Sequence, residues 1–399
     1  MAGRASADVG GVARQLMNFR SLRPWQPVPL DEPVPIAALP TPALVVDVAQ
    51  LDRNLERMAS HLGSRGMGVR AHAKMHKSPI IARRQLALGA VGICAAKLAE
   101  AEILHAAGIE DILLTSPLAS PDKLARLATL AAASPGRVWT VVDDAGMARA
   151  LAAAAAAAGT RIDVLIDVDP DMGRTGVRGA EGVLALAAAL ASLPSLRLRG
   201  IQQYAGQVMH IRDFAERKEK SEAHWASGLA IAARLRAAGF PVDIVTGGGT
   251  GTFDIDSEIA GISDLQVGSY AFMDEEYLQI EGAGTPRFES FPPSLFVLAS
   301  VISRPRSGAV TLDAGLKSFA SETVPPVPIS HPGTRFRFAG DEHGILILDG
   351  RNDAPLLGEQ VRLVTSHCDP TVNLYDVMFP VRDGMVTELW PIAARGASF

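Results

Sequence analysis

Residues 68–79 read Gly-Val-Arg-Ala-His-Ala-Lys-Met-His-Lys-Ser-Pro. The first six have the length and apolar content of a short strand. Ser78-Pro79 has the form of a helix N-cap followed by proline in the first turn, where no backbone N–H is needed. A strand followed at once by a helix is the repeating unit of a parallel sheet. The unit recurs downstream. Short apolar runs at 91–94, 111–114, 138–142, 162–167, 196–201, 242–245 and 264–267 alternate with helical stretches, and Gly108 and Gly239 stand where helices end. The alanine run 152–158 reads as a surface helix, because Ala has the highest helix propensity. Eight strands alternating with helices predict an α/β fold, a closed (β/α)8 barrel rather than an open doubly wound sheet.

Outside the barrel the pattern changes. Runs at 295–301, 309–313, 335–338, 344–348, 360–364 and 385–389 are short strands separated by turns, which predicts a C-terminal, mostly antiparallel β-domain. The boundary falls in the Pro/Gly/Phe-rich stretch 282–293. The expected organisation is an N-terminal arm over 1–38, a strand (43–47) and helix over 39–62, the barrel over 63–285 and the β-domain over 286–399. Five prolines between 24 and 35 make the arm extended, with at most a short helix at 12–19. The chain has 399 residues, is 48 % hydrophobic and carries a net charge of −5, which excludes a generic nucleic-acid binder and a disordered chain. Cys94 and Cys368 are too few for a disulfide framework, so a reducing, cytoplasmic setting is expected. No secretory h-region is found in residues 1–20, and no apolar run reaches the roughly 18–20 residues of a membrane span.

Four places could carry chemistry. Lys74 closes the first regular strand, where barrel active sites sit. Partial desolvation there lowers an amine's pKa and suits it to Schiff-base formation. Residues 246–252, Thr-Gly-Gly-Gly-Thr-Gly-Thr, follow the seventh strand, and their backbone N–H groups can approach an oxyanion closely. Gly268-Ser269-Tyr270 could add a hydroxyl. In Ser366-His367-Cys368-Asp369-Pro370, an extended backbone would point His367 and Asp369 the same way and Cys368 the other, giving half a divalent-metal site. Asp171-Met-Gly-Arg-Thr-Gly176 and Gln203-Tyr-Ala-Gly206, with His210 beyond, lie at the same barrel mouth. Each has a plain structural explanation when read alone: a solvated basic loop, a flexible glycine turn, a hydrogen-bonded turn, a propping histidine.

Taken together, these features resemble the pyridoxal-phosphate enzymes of the alanine-racemase fold type, in the branch of D-threonine aldolases, 3-hydroxy-D-aspartate aldolases and D-serine dehydratases. The resemblance runs from about Thr41 to Pro391. It rests on Thr-Pro-Ala-Leu-Val-Val-Asp at 41–47, His-Ala-Lys-Met-His-Lys-Ser-Pro at 72–79 and Cys-Ala-Ala-Lys-Leu-Ala-Glu-Ala-Glu at 94–102. It continues through Gly-Arg-Thr-Gly at 173–176, Gly-Gly-Gly-Thr at 247–250, Asp-Ala-Gly-Leu-Lys at 313–317, Glu-His-Gly at 342–344 and His-Cys-Asp-Pro-Thr-Val-Asn at 367–373.

The resemblance implies that Lys74 carries pyridoxal phosphate, with Met75 where the family usually has Thr. It implies that Arg174, Gln203 and Tyr204 contact the cofactor and that Gly248, Gly249, Thr250 and Tyr270 hold its phosphate. His367 and Asp369 would bind Mg²⁺, Mn²⁺ or Zn²⁺, and His210 would act as the base. It further implies that strand 43–47 joins the β-domain, and that the protein is a homodimer with shared active sites. The activity implied is cleavage of a D-configured β-hydroxy-α-amino acid, of D-threonine or 3-hydroxyaspartate type, to glycine and an aldehyde. Dehydration on the same scaffold, racemisation and a non-catalytic pyridoxal-phosphate carrier are the alternatives. Neither nucleic acid nor membrane is an expected partner.

Overall fold

The computed structural model describes residues 25–320, 324–350 and 354–399. Strand β1 (Val28–Pro35) and β2 (Ala43–Asp47) lead into α1 (Val48–Gly63), which is capped by the Asp47 carboxylate accepting from Gln50 N–H at 2.9 Å. The barrel follows as β3 (Gly68–His72), α2 (Pro79–Ala87), β4 (Gly92–Ala95), α3 (Leu98–Ala106), β5 (Ile112–Leu114), α4 (Pro121–Ala133), β6 (Val138–Val142), α5 (Ala145–Ala157), β7 (Ile162–Val168), α6 (Gly179–Ala191), β8 (Leu196–Gln203), α7 (Phe214–Ala237), β9 (Ile244–Gly247), the short α8 (Phe253–Asp256) and β10 (Asp264–Leu265). All eight strands are parallel, and β10 closes on β3 through Asp264 and Gly68. The alanine run lies in α5, which buries Ala148, Leu151, Ala152 and Ala155 on one face.

A one-turn helix α9 (Glu275–Leu278) leads out of the barrel. The chain then builds β11 (Leu295–Arg306), β12 (Ala309–Leu312), β13 (Val327–Pro328), β14 (Arg335–Phe338), β15 (Gly344–Ile347), β16 (Gln360–Val364), α10 (Cys368–Val372), β17 (Val377–Arg382) and β18 (Met385–Pro391). These strands form one ten-stranded sheet with β1 and β2. The pairings are antiparallel except β2 with β17. Strand 43–47 therefore joins the β-domain across 247 residues of intervening sequence (48–294), between β11 and β17.

Two elements depart from the sequence expectation. The arm expected over 1–38 contains β1, an edge strand on β18, where prolines do not break a ladder. The short helix expected at 12–19 lies outside the described residues. Strand β17 is interior despite Pro380, and its pairing with β18 is irregular between Met378 and Val381, at the proline. No helix among the described residues is long and apolar enough to cross a membrane.

The barrel interior is layered. Cys94, Leu113, Val141 and Leu165 form an apolar middle. Below it, Arg70 bonds Asp264 at 3.1 Å, and Arg197 and Arg199 bond Asp163 at 2.6 and 2.8 Å. Above it, at the strands' C-terminal ends, Gln202 donates to Asp167 (2.9 Å) and to the Thr115 carbonyl (3.1 Å), and accepts from Gln266 (3.0 Å). A bulge in β8 separates the layers. Opposite Val164 and Leu165 stand Leu198 and Gly200, so one residue is skipped. Because side chains alternate along a strand, the skip moves the inward set from Arg197 and Arg199 to Gln202. Only glycine fits the bulge. Gly200 has φ +148°, and a Cβ there would overlap the Ile244 carbonyl.

Arg70 and Asp264 are 5 % and 2 % exposed, so removing one partner strands a charge in the core. Asp264→Ala is expected to lower the unfolding free energy by about 3–5 kcal/mol, measured by chemical denaturation. A loss under 1 kcal/mol would mean that water or Asp111 compensates Arg70.

Candidate active site

A cavity of about 400 Å³ opens at the C-terminal ends of the barrel strands. Lys74 enters it from a single 3₁₀ turn, Ala73–Met75, directly after β3. The neighbouring basic residues of the motif are committed elsewhere. Lys77 forms a buried ion pair with Glu100 and bonds the Ala394 carbonyl. His76 is fully buried, its Nε2 paired with Gln85 Oε1 (3.2 Å) and its Nδ1 accepting from Ser78 N–H (3.1 Å). Burial lowers His76 to about 4, so it stays neutral. His72 lines the cavity, with Nε2 3.3 Å from Thr115 Oγ1, and burial and the Lys74 charge keep it neutral too. The remote Lys317 pairs with Glu342 on the surface at 2.5 Å, and neither Glu342 nor His343 lines the cavity.

The expected fall in the Lys74 pKa is not found. The Asp369 carboxylate, 3.6 Å from Nζ, outweighs desolvation and raises it. Burial alone suggested an amine destabilised as a cation. The β-domain supplies a counter-charge that strand position could not reveal.

Arg174 and Tyr204 reach the same cavity, with the guanidinium 5.2 Å from the Tyr204 ring centre. The loop carrying Arg174 is fixed by carboxylates. Asp169 accepts from Met172 and Gly173 N–H, Asp167 from Thr175 Oγ1, and Asp143 from Gly176 N–H. Gly176 has φ +103°, and a Cβ would lie 2.5 Å from Asp169 N.

Gln203 does not face the cavity, which corrects the sequence expectation. The β8 bulge turns it outward against α7, where it donates to the His224 carbonyl at 2.9 Å, and Gln202 takes the inward place. In the glycine loop, Gly249 and Thr250 line the cavity. Gly248 lies behind it, with φ +65° and only 2.5 Å between a would-be Cβ and Asp256 Oδ2. Tyr270 is also behind. Its hydroxyl accepts from Gln85 Nε2 (3.1 Å), whereas its backbone N–H donates to Thr250 Oγ1 (3.1 Å). The Tyr270 hydroxyl therefore stands on the far side of the loop from the one expected.

His367 and Asp369 do come together, though not on an extended segment. His367 is the extended N-cap of α10, and Asp369 lies in its first turn. His367 Nε2 is 3.9 Å from Asp369 Oδ2, within the roughly 4.2 Å that two donors on one divalent ion can span. One imidazole and one carboxylate oxygen suit Mg²⁺, Mn²⁺ or Zn²⁺ with the remaining positions open. Among the described residues, no group of three or more His, Cys, Asp and Glu side chains is arranged to hold an ion. Glu276 Oε2 lies 2.9 Å from His367 Nδ1, off the ideal hydrogen-bond direction, and Asp274 Oδ2 lies 3.6 Å from it. Burial opposes a charge on His367, but Glu276, Asp369 and Asp274 together push it up to about 9.

His210 stacks on Tyr277 with ring centres 4.5 Å apart. Tyr277 lines the first cavity, and His210 lines a second one of about 510 Å³. Burial lowers the His210 pKa against the pull of Glu276, which leaves the imidazole neutral near pH 7. Asp274 and Glu276 were not singled out from the sequence. The only available signal was an aspartate at the start of an acidic turn just past the eighth strand.

These findings agree with the comparisons. Residues 46–276 match the model of the alanine racemase N-terminal domain, and residues 294–381 match that of a serine dehydratase domain. The chain is 43 % identical to a D-threonine aldolase of Arthrobacter sp. over 93 % of its own length and 97 % of that protein. It is 36 % identical to a 3-hydroxy-D-aspartate aldolase of Paracoccus denitrificans, over 90 % and 93 %. The crystal structure of D-threonine aldolase from Filomicrobium marinum superposes with a TM-score of 0.88 at 39 % identity, covering 94 % of this chain and all of that one. The chain belongs to the family of alanine-racemase-fold proteins that includes these aldolases.

Beneath the glycine loop, the fully buried Asp256 accepts from Ser221 Oγ (2.6 Å) and Thr252 Oγ1 (2.5 Å), and burial raises it to about 7. Between about pH 4 and 7 the unfolded chain gives up this proton while the folded one keeps it, so stability from this group falls as pH rises and is level above 7. Relative to Asp256→Asn, the parent protein should lose about 2–3 kcal/mol between pH 5 and pH 8 in urea denaturation. Parallel pH profiles for the two proteins would mean the carboxylate is ionised throughout.

Proposed function

We propose that this aldolase-family chain is a pyridoxal-phosphate- and divalent-metal-dependent lyase that cleaves a D-configured β-hydroxy-α-amino acid to glycine and an aldehyde. The observation that carries the reading is the approach of the β-domain pair to the cavity lysine, 3.6 Å from Lys74 Nζ to Asp369 Oδ1 and 3.9 Å from Asp369 Oδ2 to His367 Nε2, the pair itself lying outside the cavity lining. The cofactor fits the cavity. An amine, an arginine and a glycine–threonine turn face one space of about 400 Å³, within the usual size of small-molecule sites. Lys74 would bind the cofactor covalently, Gly249 and Thr250 would hold its phosphate, and Arg174, Tyr204 and Gln202 would contact the ring. When bound, pyridoxal phosphate supplies the electron sink for the breaking bond.

The chain's own residues do the rest. His367 and Asp369 would hold a divalent cation that lowers the pKa of the substrate's β-hydroxyl. Neutral His210 accepts the hydroxyl proton as the Cα–Cβ bond breaks. The electron pair of the broken bond would be left at Cα, and Lys74 would return a proton there to give glycine. Dehydration is less well supported, because the resembling dehydratases place a cysteine where this chain has Asp369. The same reading includes a homodimer in a reducing, cytoplasmic setting.

Product analysis tests the reading. With D-threonine or 3-hydroxyaspartate isomers, glycine and aldehyde are expected; ammonia and a 2-oxo acid would indicate the dehydratase instead. Lys74→Ala should abolish turnover and the roughly 410–420 nm absorbance of the lysine-bound cofactor. His210→Ala should keep that absorbance and lose about 10²–10⁴-fold in kcat. Cleavage at the parental rate by His210→Gln would reassign the base.

The metal has its own test. Glu276→Gln, which leaves both ligands in place, is expected to weaken Mn²⁺ binding about 10–100-fold by electron paramagnetic resonance titration. Cys368→Ser should bind Mn²⁺ as the parent does. A loss confined to Cys368→Ser would mean the ion sits on the other side of α10.

A further inference from the structure

The cavity beside His210 carries charges that bond cleavage does not use. Arg212 and Arg287 line it together with His210, Glu276, Gln279 and Ile280. Its position follows from its shared walls. His210 stacks on Tyr277 of the cofactor cavity, and Glu276 faces His367. A substrate with Cα at Lys74 and its hydroxyl between His210 and the His367–Asp369 pair therefore extends its remaining β-substituent toward this space. A methyl group would leave most of 510 Å³ unfilled.

Resting on the aldolase reading, we propose that this cavity is the subsite for the β-substituent, and that Arg212, with Arg287 on the same cavity, selects a carboxylate there. The preferred substrate class is then a 3-hydroxyaspartate, cleaved to glycine and glyoxylate. The β-hydroxyl proton goes to His210, the Cα–Cβ pair goes to Cα, and Cβ leaves as the aldehyde carbon of the oxo acid. No oxidant or reductant is required.

The charges in the cavity are not equivalent. Glu276 faces His367, and Arg287 is held by Glu275 at 3.0 Å. Among the described residues, Arg212 makes no ion pair. A guanidinium can give a carboxylate two parallel, charge-assisted hydrogen bonds, whereas a methyl group offers it nothing. The wall bearing Arg212 is built rather than loose. The fully buried Arg217 donates to the carbonyls of Ile211 (2.6 Å), Arg212 (3.3 Å), Gly251 (2.9 Å) and Glu281, and Glu281 N–H donates to the Arg212 carbonyl (2.9 Å). One guanidinium thus ties the two sides of this cavity to the glycine loop.

The test uses holoenzyme and two probes that lack a β-hydroxyl and cannot be cleaved. D-aspartate ends in a carboxylate and D-2-aminobutyrate in a methyl group. Their competitive inhibition constants should differ by about tenfold to a hundredfold in favour of D-aspartate. Arg212→Met should reduce that ratio to within about threefold of unity, and Arg212→Lys should keep part of it. The ratio of kcat/KM for 3-hydroxyaspartate to that for D-threonine should fall in parallel. Equal inhibition constants in the parent enzyme, or a preference that survives Arg212→Met, would overturn the assignment. An enzyme that cleaves neither amino acid would sink the aldolase reading instead, and the dissociation constants of the two probes, titrated by the change each makes in the cofactor's absorbance, would still decide whether Arg212 reads a carboxylate.

Discussion

The site depends on one buried carboxylate. Asp274 is fully inaccessible, and its two oxygens accept from Tyr277 N–H at 3.3 Å and from Cys368 N–H at 2.8 Å. The first bond caps the turn that leads out of the barrel; the second caps the turn that carries His367 and Asp369. One side chain therefore fixes the β-domain's ligand pair over the barrel mouth, and backbone bonds from Glu275 and Glu276 to the Thr365 and Ser366 carbonyls reinforce it. Together with the bonds between Lys77 and Ala394, these contacts set the distance between Lys74 and Asp369 across the two domains. Burial raises Asp274 to about 7, against the pull of His367 and of the two backbone donors.

The mouth sorts its basic groups by environment. His72, His76 and His210 are held neutral chiefly by burial, which for His76 and His210 outweighs the pull of nearby carboxylates. His367 faces three carboxylates and is held charged, and Lys74 is held charged by Asp369. A cation that replaced the Lys74 and His367 charges beside Asp369 would find the same negative field. That field is compatible with the proposed metal site. His210 feels Glu276 and Asp369 as well, but burial outweighs them and keeps the imidazole neutral against Tyr277, with a lone pair free to accept a proton.

Much of this was legible in the sequence, because the barrel writes its period plainly. Each strand is an apolar run followed by a helix, and the eight predicted runs fall on β3 to β10. What was not legible had three physical sources. Strand β1 and strand β17 contain prolines, which read as breakers until the sheet edge and the irregular pairing that tolerate them are known. Gln203 was chosen over Gln202 because nothing in residues 196–203 announces that Gly200 is a bulge. Asp274 and Glu276 reach Cys368 and His367 some 90 positions later, and no local pattern encodes a contact of that range. The lysine, the glycine loop and the His-x-Asp pair were legible because their chemistry is carried by residue type.

The choice of oxygen over sulfur at the ligand pair is made by the backbone. His367 is still extended at φ −140°, and the chain then turns into α10. Residues 367 and 369 converge across that turn, while Cys368 between them is driven inward. Its thiol lies 3.4 Å from Thr365 Oγ1 and 3.5 Å from the Met273 carbonyl. Burial first, and Asp274 next, raise its pKa well above the usual thiol value. A thiol held in that pocket is turned away from the pair. A hard oxygen donor is what remains beside the imidazole, and under the proposed reading the pair would suit Mg²⁺, Mn²⁺ or Zn²⁺. Such an ion would keep exchangeable positions, which suits the proposed binding of a substrate hydroxyl.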